Sequence, residues 1–409
     1  MKYIPPLGSP NPDAPWVNAV PSTGAQGSII DANVFNAVEN EVVNAILGAG
    51  LSPSPNNYSQ LLQAIQAIAG VLPGQITQAM LAVGAAPLPH IAVQPADNLN
   101  LSNDSATPNT VVDIAVGRVR DDSDVTNLQL AAAMAKSLSS SWVAGGVPGT
   151  PAAGCDTSSI GASQTWHAYL IGRLGQSITS YTRASNVVTL AVANHGLGVG
   201  GTVRATGTFV VDGLYPITAV TTNTISFNNT GANVATTPCG GIVDGFDCLF
   251  SQSYPSPALP SGWTTKQCLG SVLSNSSSQI VAFFQYGDEF WYGAPPADKT
   301  AAAITASIAQ LATLSVPNGV KVMAILNIDM TTSGVANAAA LYIAPPDATI
   351  TTFANWSIAG GFGSASTATV GGSARVWTNT GKQVNVLSDF TGTYAISTLG
   401  YRDPRRSLF

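Results

Sequence analysis

The sequence predicts a mainly β protein, with an N-terminal helical hairpin followed by β-sandwich or jelly-roll-like domains and one small inserted β domain. Three observations support this prediction. Strong helical spacing of apolar residues is confined to the region before residue 71, and short alternating apolar runs fill most of the remaining chain. Residues 177–242 differ from their surroundings because they consist of small strands separated by glycine-containing turns. Short strands separated by turn residues are typical of sandwiches and jelly rolls.

Residues 1–71 are predicted to contain an extended segment and then two helices. Six prolines lie in the first 23 residues, so this stretch should be extended. In the first helix Asp31 is the N-cap, apolar side chains recur every four residues, and glycines at 48 and 50 end the helix. The candidates for packing on an attachment partner are Phe35, Val38, Val42 and Ile46.

The second helix is predicted over residues 57–70. Two helices of this size bury little apolar surface, and isolated short helices are only marginally stable. The hairpin therefore packs either on its own chain or on a neighbouring assembly.

The remaining chain divides into an extended connector and three β regions. The proline-containing connector covers residues 72–107, and a discontinuous β-sandwich domain covers residues 108–176 together with 243–297. Residues 177–242 are predicted to form a compact inserted unit that closes on itself, and residues 298–409 form a C-terminal β domain. A weaker helical pattern at 301–311 is compatible with a loop or a brief helix.

Within the discontinuous domain, two apolar runs at 269–273 and 280–286 are predicted to pair as antiparallel strands through the turn at 275–278. The aromatic residues around this pair are predicted to be mainly core. Any that are exposed would offer flat faces on which sugar rings can stack. The set comprises Trp263, Phe283, Phe284, Tyr286, Phe290, Trp291 and Tyr292.

Composition limits the function classes. Only 9% of the 409 residues are charged, 45% are hydrophobic, and the formal net charge is −6, which argues against both disorder and nucleic-acid binding. No apolar run approaches 18 residues, so no membrane insertion is expected, and the N-terminus lacks the pattern of a secretory signal. A surface this poor in charge is either covered by partner subunits or solvated by Ser, Thr and Asn side chains.

The residues that commonly perform catalysis are not arranged in a recognisable catalytic motif in this sequence. His167 lies in an apolar strand and is interpreted as structural, while His195 precedes a glycine in a predicted turn. The acidic run 121–124 lacks the glycine turn and distal glutamate of an EF-hand, so a solvated loop is favoured over a calcium site. The adjacent carboxylates at 288–289 point to opposite faces if extended, so they cannot flank one glycosidic bond. No catalytic residue, metal or cofactor is expected, and the four cysteines are expected to be free thiols.

Several ordered segments resemble bacteriophage tail-fibre proteins and related prophage proteins. They begin with MKYIPPLGSPNPDAPWVN and AGLSPS, continue with PNTVVDIAVGRVRDDSD, TWHAYLIGR, DGFDCLFS, LPSGWTTKQCLGSVLSN and GDEFWY, and end with SVPNGVKVMAILNIDM and LGYRDPRR. The resemblance covers most of the chain except 177–242. In the family pattern the residues on either side of this segment form a β-hairpin, which the segment interrupts. Its HGLGVGGTVRATGT sequence is similar to small β modules of phage tail proteins. GYRDPRRSLF also departs from the family's usual glycine-bearing close.

This resemblance implies a homotrimeric virion protein of the phage tail, assembled in the host cytoplasm. Its N-terminus would attach to baseplate or tail-tip proteins, and its distal C-terminal domain would bind a bacterial surface receptor such as a polysaccharide. The candidate receptor-facing residues are Trp356 and Phe362, in loops where the chain leaves the family pattern. The alternatives are a tailspike-like polysaccharide depolymerase and a purely structural tail or collar component.

Overall fold

The computed structural model describes residues 17, 28, 32–54, 61, 64, 97–208, 210–333, 338–348, 357–362 and 367–405. The chain divides into two compact units, Met1–His90 and Ile91–Phe409. The described residues are mainly β, as predicted, with one helix and 27 strands arranged in five sheets.

In the first unit, helix α1 spans Ala32–Gly48 and confirms the first predicted helix. It ends in a Schellman motif: Gly50 adopts φ 74°, its N–H donates to the Leu47 carbonyl at 2.9 Å, and the Leu51 N–H donates to the Ile46 carbonyl at 3.1 Å. A left-handed φ of this kind is why glycine stands there. The second predicted helix lies outside the described residues except for Leu61 and Ala64, which are helical.

The second unit begins with a small antiparallel sheet in the order β1-β4-β5, formed by β1 (Asp97–Asn98), β4 (Gly117–Arg120) and β5 (Asn127–Leu130). A nine-stranded mixed sheet follows the path β12-β11-β16-β7-β6-β3-β2, with β8 pairing β16 and β17. Its strands are β2 (Leu101–Asn103), β3 (Val111–Ile114), β6 (Met134–Ser141), β7 (Ala152–Cys155), β8 (Thr165–Ser177), β11 (Thr202–Thr206), β12 (Gly213–Pro216), β16 (Ile242–Ser251) and β17 (Thr265–Leu273).

Three further sheets complete the unit. The five-stranded sheet contains β9 (Ser180–Ala184), β10 (Val187–Ala191), β13 (Ala219–Val220), β14 (Thr224–Asn228) and β15 (Val234–Pro238). The six-stranded sheet contains β18 (Phe283–Tyr286), β19 (Glu289–Tyr292), β20 (Ala297–Ile304), β22 (Met323–Ser333), β25 (Thr367–Trp377) and β27 (Gly392–Arg402). The four-stranded sheet contains β21 (Gln310–Thr313), β23 (Ala338–Ala344), β24 (Ser357–Phe362) and β26 (Gln383–Ser388).

The predicted interruption of a hairpin is confirmed. Strands β8 and β16 pair antiparallel from Ser177 opposite Ile242 to His167 opposite Ser251, although the chain between them forms other strands. The intervening segment does not keep all its strands to one sheet, however. Strand β11 pairs with β16 and β12 pairs with β11, so both extend the nine-stranded sheet beside the five-stranded one.

The centre of the nine-stranded sheet is buried on both faces. In β8, Trp166, Ala168 and Leu170 belong to one core cluster, whereas Tyr169 and Ile171 belong to a second cluster. The second cluster also includes the buried apolar residues of the five-stranded sheet. A strand covered on both sides reads as a nearly continuous apolar run, as β8 and β16 do in the sequence.

Three predictions of local structure need correction. The run at 280–286 makes only a single antiparallel bridge to Ser274 and then pairs with β19, because β17 takes β8 as its partner. Residues 301–311 form the end of β20, a turn and the start of β21, since pairing with β27 and β26 overrides their helical spacing. Residues 97–103 of the predicted connector form β1 and β2, with Leu99 and Leu101 buried in the core.

Candidate ligand-binding surface

The aromatic residues of the β18–β19 hairpin separate onto two faces. Phe283, Phe290 and Tyr292 are buried, each less than 10% exposed, and belong to the core. Phe284 and Tyr286 alternate with them and are 57% and 70% exposed. Side chains alternate between faces along a strand, so one face of this hairpin fills the core and the other presents aromatic rings to solvent.

The exposed face continues across the six-stranded sheet. Strand register places Trp291 opposite Phe284, and Glu289 opposite Tyr286 and Arg402. Arg402 in turn lies opposite Met323, whose other neighbour is Trp377. Directly opposed residues project from the same face. We call this face, with Phe284, Tyr286, Trp291 and Trp377 as its aromatic members, the aromatic face.

Charged side chains fix the aromatic face. Arg375 Nη1 lies 2.7 Å from Glu289 Oε1, and the other Glu289 oxygen accepts a hydrogen bond from the Trp291 indole N–H at 3.1 Å. Strands β22 and β27 lie between Arg375 and Glu289, so this ion pair crosses both of them. Ile325, which lies in the row between Arg375 and Trp291, is only 5% exposed despite being on the outer face. The indole is therefore held in one orientation beside exposed aromatic neighbours.

A second ion pair closes the end of the hairpin. Asp288 lies in the turn between β18 and β19 and accepts a hydrogen bond from Arg402 Nε. The Asp288 carboxylate also raises the pKa of the Arg402 guanidinium, with a smaller effect from Glu289. Asp288 and Glu289 thus bind two different arginines, which gives both carboxylates a structural role.

Close backbone approach also shapes the aromatic face. A Cβ on Gly400 would lie 2.1 Å from the Phe290 carbonyl oxygen and 3.0 Å from the Trp291 Cα. Only glycine allows β27 to run this close to β19. This close approach of β27 to β19 positions the hairpin that carries Phe284 and Tyr286.

The residues predicted from sequence as sites lie elsewhere. Trp356 is outside the described residues, and Phe362 ends β24, where only its backbone is described. The backbones of Phe35 and Val38 lie in α1, Val42 is half-buried, and Ile46 is 5% exposed. The aromatic face was not among the candidate sites, because Phe284, Tyr286 and Trp291 were interpreted mainly as core, with sugar stacking only for exposed rings, and Trp377 was not singled out. The period-two alternation in FFQYGDEFWY does separate the exposed rings of the hairpin from the buried ones.

The two histidines that the structure describes have structural partners. His167 is fully buried and its Nδ1 lies 2.8 Å from Ser271 Oγ. Burial, aided by the Arg405 guanidinium, lowers the pKa of His167 to about 3, so the imidazole is neutral at ordinary pH. His195 accepts a hydrogen bond from the Leu197 N–H at 3.0 Å, and its Nε2 lies 2.7 Å from the Thr221 carbonyl oxygen. Neither imidazole is exposed, in agreement with the structural interpretation of both.

The acidic run 121–124 is occupied by contacts within the protein. Asp121 is 1% exposed and accepts hydrogen bonds from the N–H groups of Val125 and Thr126 at 2.8 and 2.7 Å. Asp122 pairs with Lys266 at 2.6 Å, and Asp124 pairs with Arg120 at 3.0 Å. These carboxylates order a loop. The loop differs from the solvated one expected from sequence, because Asp121 is buried within it.

Across the described part of the chain, no group of three or more His, Cys, Asp or Glu side chains is placed to hold a metal ion. Nor does any helix among those residues have the length and apolarity needed to cross a bilayer. The four cysteines are free thiols. Comparison with known proteins gave no match among protein-family models, curated proteins or solved structures.

Proposed function

We propose that this chain is a structural protein of a bacteriophage tail fibre, and that it attaches the virion to its host by stacking cell-surface sugar rings on the aromatic face. The observation that carries the proposal is the exposure of Phe284 and Tyr286 beside an indole held by Glu289. Sugar rings present C–H groups to aromatic faces and hydroxyls to charged side chains, and the aromatic face supplies both. The ordered sequence resemblance to tail fibres supports the same assignment.

The proposed assembly is a homotrimer attached to the baseplate or tail tip through its N-terminal residues. In that assembly the second helix of the predicted hairpin covers 57–70, and the sheets of the C-terminal region form the layers of a sandwich. The sandwich is supported by one core cluster that contains Leu326 and Ile328 of the six-stranded sheet and Val384 and Val386 of the four-stranded sheet. Several weak sugar contacts per fibre raise avidity without a tight individual site.

The test measures binding of the full chain to bacterial cells and to an array of capsule and lipopolysaccharide fragments. Removing both exposed rings with Phe284→Ala/Tyr286→Ala should weaken binding by about tenfold per site, equivalent to about 1.4 kcal/mol. Leu311→Ala is the matched control, because Leu311 is 53% exposed on a strand of the four-stranded sheet. It should bind as the unaltered chain does.

Three outcomes would overturn parts of the proposal. Equal binding by the double variant would exclude the aromatic face as the contact surface. New reducing ends released from a bound polysaccharide would identify a depolymerase instead. Absence of binding to every cell and glycan tested would leave a structural tail component. Light scattering adds the oligomeric state, for which the expected mass is three times that of one chain.

A further inference from the structure

A pocket separate from the aromatic face lies where the nine-stranded and six-stranded sheets meet. Its volume is about 290 Å³. Ligand pockets in proteins usually measure roughly 300 to 1,000 Å³, so this one fits a single small unit, not a chain of several. The residues that border it come from several segments: the start of β8, the turn that follows β17, strand β19, and the loops at 315–316 and 382.

The lining combines apolar and hydrogen-bonding groups. Leu273, Val281, Val316 and Tyr292 provide the apolar part, and the Tyr292 hydroxyl is fixed by donating to the Ser315 carbonyl at 2.7 Å. A sugar ring has the same dual character, with C–H faces and hydroxyl edges. The pocket is therefore better suited to a sugar residue than to a purely apolar ligand or a bare inorganic ion.

The polar wall is rigid but keeps unused hydrogen-bonding groups. Ser274 Oγ donates to the Gly161 carbonyl at 2.5 Å and accepts from the Gln164 N–H at 2.8 Å. The Gln164 side-chain oxygen accepts the Gly161 N–H at 2.6 Å. Within the described part of the chain, no protein partner is found for the Gln164 side-chain NH₂ or the Ser276 hydroxyl. Both residues border the pocket, so these groups can serve as partners for ligand hydroxyls.

Lys382 is the charged residue of the lining. Its backbone is clamped, because its N–H donates to the Asn379 carbonyl at 3.2 Å and its carbonyl accepts the Leu314 N–H at 2.9 Å. Lys382 adopts φ 63°, a left-handed conformation that is uncommon for a residue other than glycine, asparagine or aspartate. Among the described residues, its ammonium group has no ion-pair or hydrogen-bond partner. Lys382 borders the pocket, and its ammonium group is therefore available to pair with an anionic ligand group there.

We propose that this pocket binds one acidic sugar residue, with the sugar carboxylate on Lys382 and the ring hydroxyls on Gln164 and Ser276. The proposal rests on the function proposed above and names one class of glycan for which the fibre would be selective. The charge on Lys382 selects the carboxylate, and the mixed apolar and hydrogen-bonding lining selects the ring. Neutral glycans would still stack on the aromatic face.

The experiment is calorimetric titration of the full chain with D-glucuronate and N-acetylneuraminate as probes, and with D-glucose and acetate as comparators. Acidic sugars should bind more tightly than either comparator, and added salt should weaken their binding. Lys382→Met should weaken binding of the acidic sugars by about tenfold or more, the factor expected when a hydrogen bond to a charged group is lost. Lys299→Met is the matched control, since Lys299 is also half-buried but does not line the pocket.

Each alternative result has a distinct meaning. Equal loss in Lys299→Met would show a general effect of positive charge and overturn the pocket assignment. If acetate binds as tightly as glucuronate, the pocket recognises a carboxylate and not a sugar. If glucose binds as tightly as glucuronate, the pocket does not select acidic sugars. No binding of any probe would overturn the site. None of these results affects adhesion through the aromatic face, which Phe284→Ala/Tyr286→Ala tests separately.

Discussion

The buried ion pair between Lys136 and Asp247 offers the sharpest test of how this fold is stabilised. Lys136 Nζ lies 2.7 Å from Asp247 Oδ1, and the two side chains are 0% and 1% exposed. The ammonium group also donates to the Val143 carbonyl at 2.8 Å, and the carboxylate accepts the N–H groups of Gly145 and Cys248, both at 2.6 Å. Burial raises the pKa of Asp247, and Lys136 with the two N–H groups offsets only part of that rise.

The proposed change is Lys136→Met, which leaves the Asp247 carboxylate buried without its cation. Breaking a buried pair in this way costs about 3–5 kcal/mol. Proton uptake limits the loss: starting from an ordinary aspartate pKa of about 3.9, neutralising the carboxyl costs about 4 kcal/mol at pH 7 and about 1.5 kcal/mol at pH 5. The folded-state pKa of Asp247 in the variant is raised, so the stability lost through this carboxyl is smallest at low pH and grows as the pH rises from the ordinary pKa through the raised one. We expect a loss of about 3–4 kcal/mol at pH 7 and about 1.5 kcal/mol at pH 5.

Urea unfolding followed by tryptophan fluorescence measures both values. Trp142 is a suitable reporter, because its ring centroid lies 5.1 Å from Lys136 Nζ. The double variant Lys136→Met/Asp247→Asn removes both charges and should recover a large part of the loss at pH 7. Lys321→Met is the control: Lys321 pairs with Asp347 at 2.6 Å, but the side chains are 55% and 70% exposed. An exposed pair should contribute less than about 1 kcal/mol. A loss in Lys136→Met that is equally small, or that does not change between pH 7 and pH 5, would refute the argument.

Three further predictions concern other parts of the chain. Gly400→Ala should separate β19 from β27 and lower stability by about 2 kcal/mol or more in thermal unfolding, whereas Gly240→Ala, with no atom within 4 Å of the added Cβ, should be neutral. Arg405→Met removes the cation that lowers the pKa of buried Asp403. The stability which that carboxylate contributes is present above about pH 4 and lost below it, so melting curves of variant and parent should differ most near pH 7 and converge in acid; a constant difference would contradict this. Burial raises the pKa of Cys155 to about 12. Iodoacetamide at pH 8 should therefore modify the less buried Cys239 first, which peptide mass spectrometry detects. Early labelling of Cys155 would contradict its burial.

Local pattern predicted most strands, because alternation of apolar and polar residues depends on neighbouring positions. The interrupted hairpin was predicted from the family resemblance and not from local pattern, since the paired strands β8 and β16 lie far apart in the sequence. The alternating run at 320–330 forms β22 from Met323 onward, and the run at 384–387 lies in β26. The errors concern the choice of partner. The 280–286 run pairs with β19 because β17 is already paired with β8. Strand β11 lies in the inserted segment but pairs with β16 of the nine-stranded sheet. A strand's edge accepts any compatible strand, so sequence spacing alone does not select one.

The side-chain sites were harder to predict for a related reason. In the β18–β19 hairpin both alternating sets contain aromatic residues, so the period of two does not say which set faces the core. The Lys136–Asp247 pair joins β6 to β16, with more than a hundred residues between the partners. The pocket at Lys382 combines segments that lie still further apart in the sequence. Such contacts follow from tertiary packing, which the sequence pattern does not encode in any local window.

The last strand connects the aromatic face to the rest of the β unit. Strand β27 pairs with β19 and β22, the Tyr401 hydroxyl donates to the Ser271 carbonyl at 2.5 Å, and the Asp403 N–H donates to the Asp288 carbonyl at 2.7 Å. Arg405 then donates to Ser271 Oγ at 2.8 Å and lies over the Tyr254 ring. The hairpin that carries Phe284 and Tyr286 is thus held between β27 and the end of the nine-stranded sheet. A surface ordered before binding loses little conformational entropy when a ligand arrives, which suits a protein that gains affinity by repeating weak contacts. Loosening this C-terminal connection, as in Arg405→Met, should therefore weaken glycan binding even though Arg405 lies on no proposed contact surface.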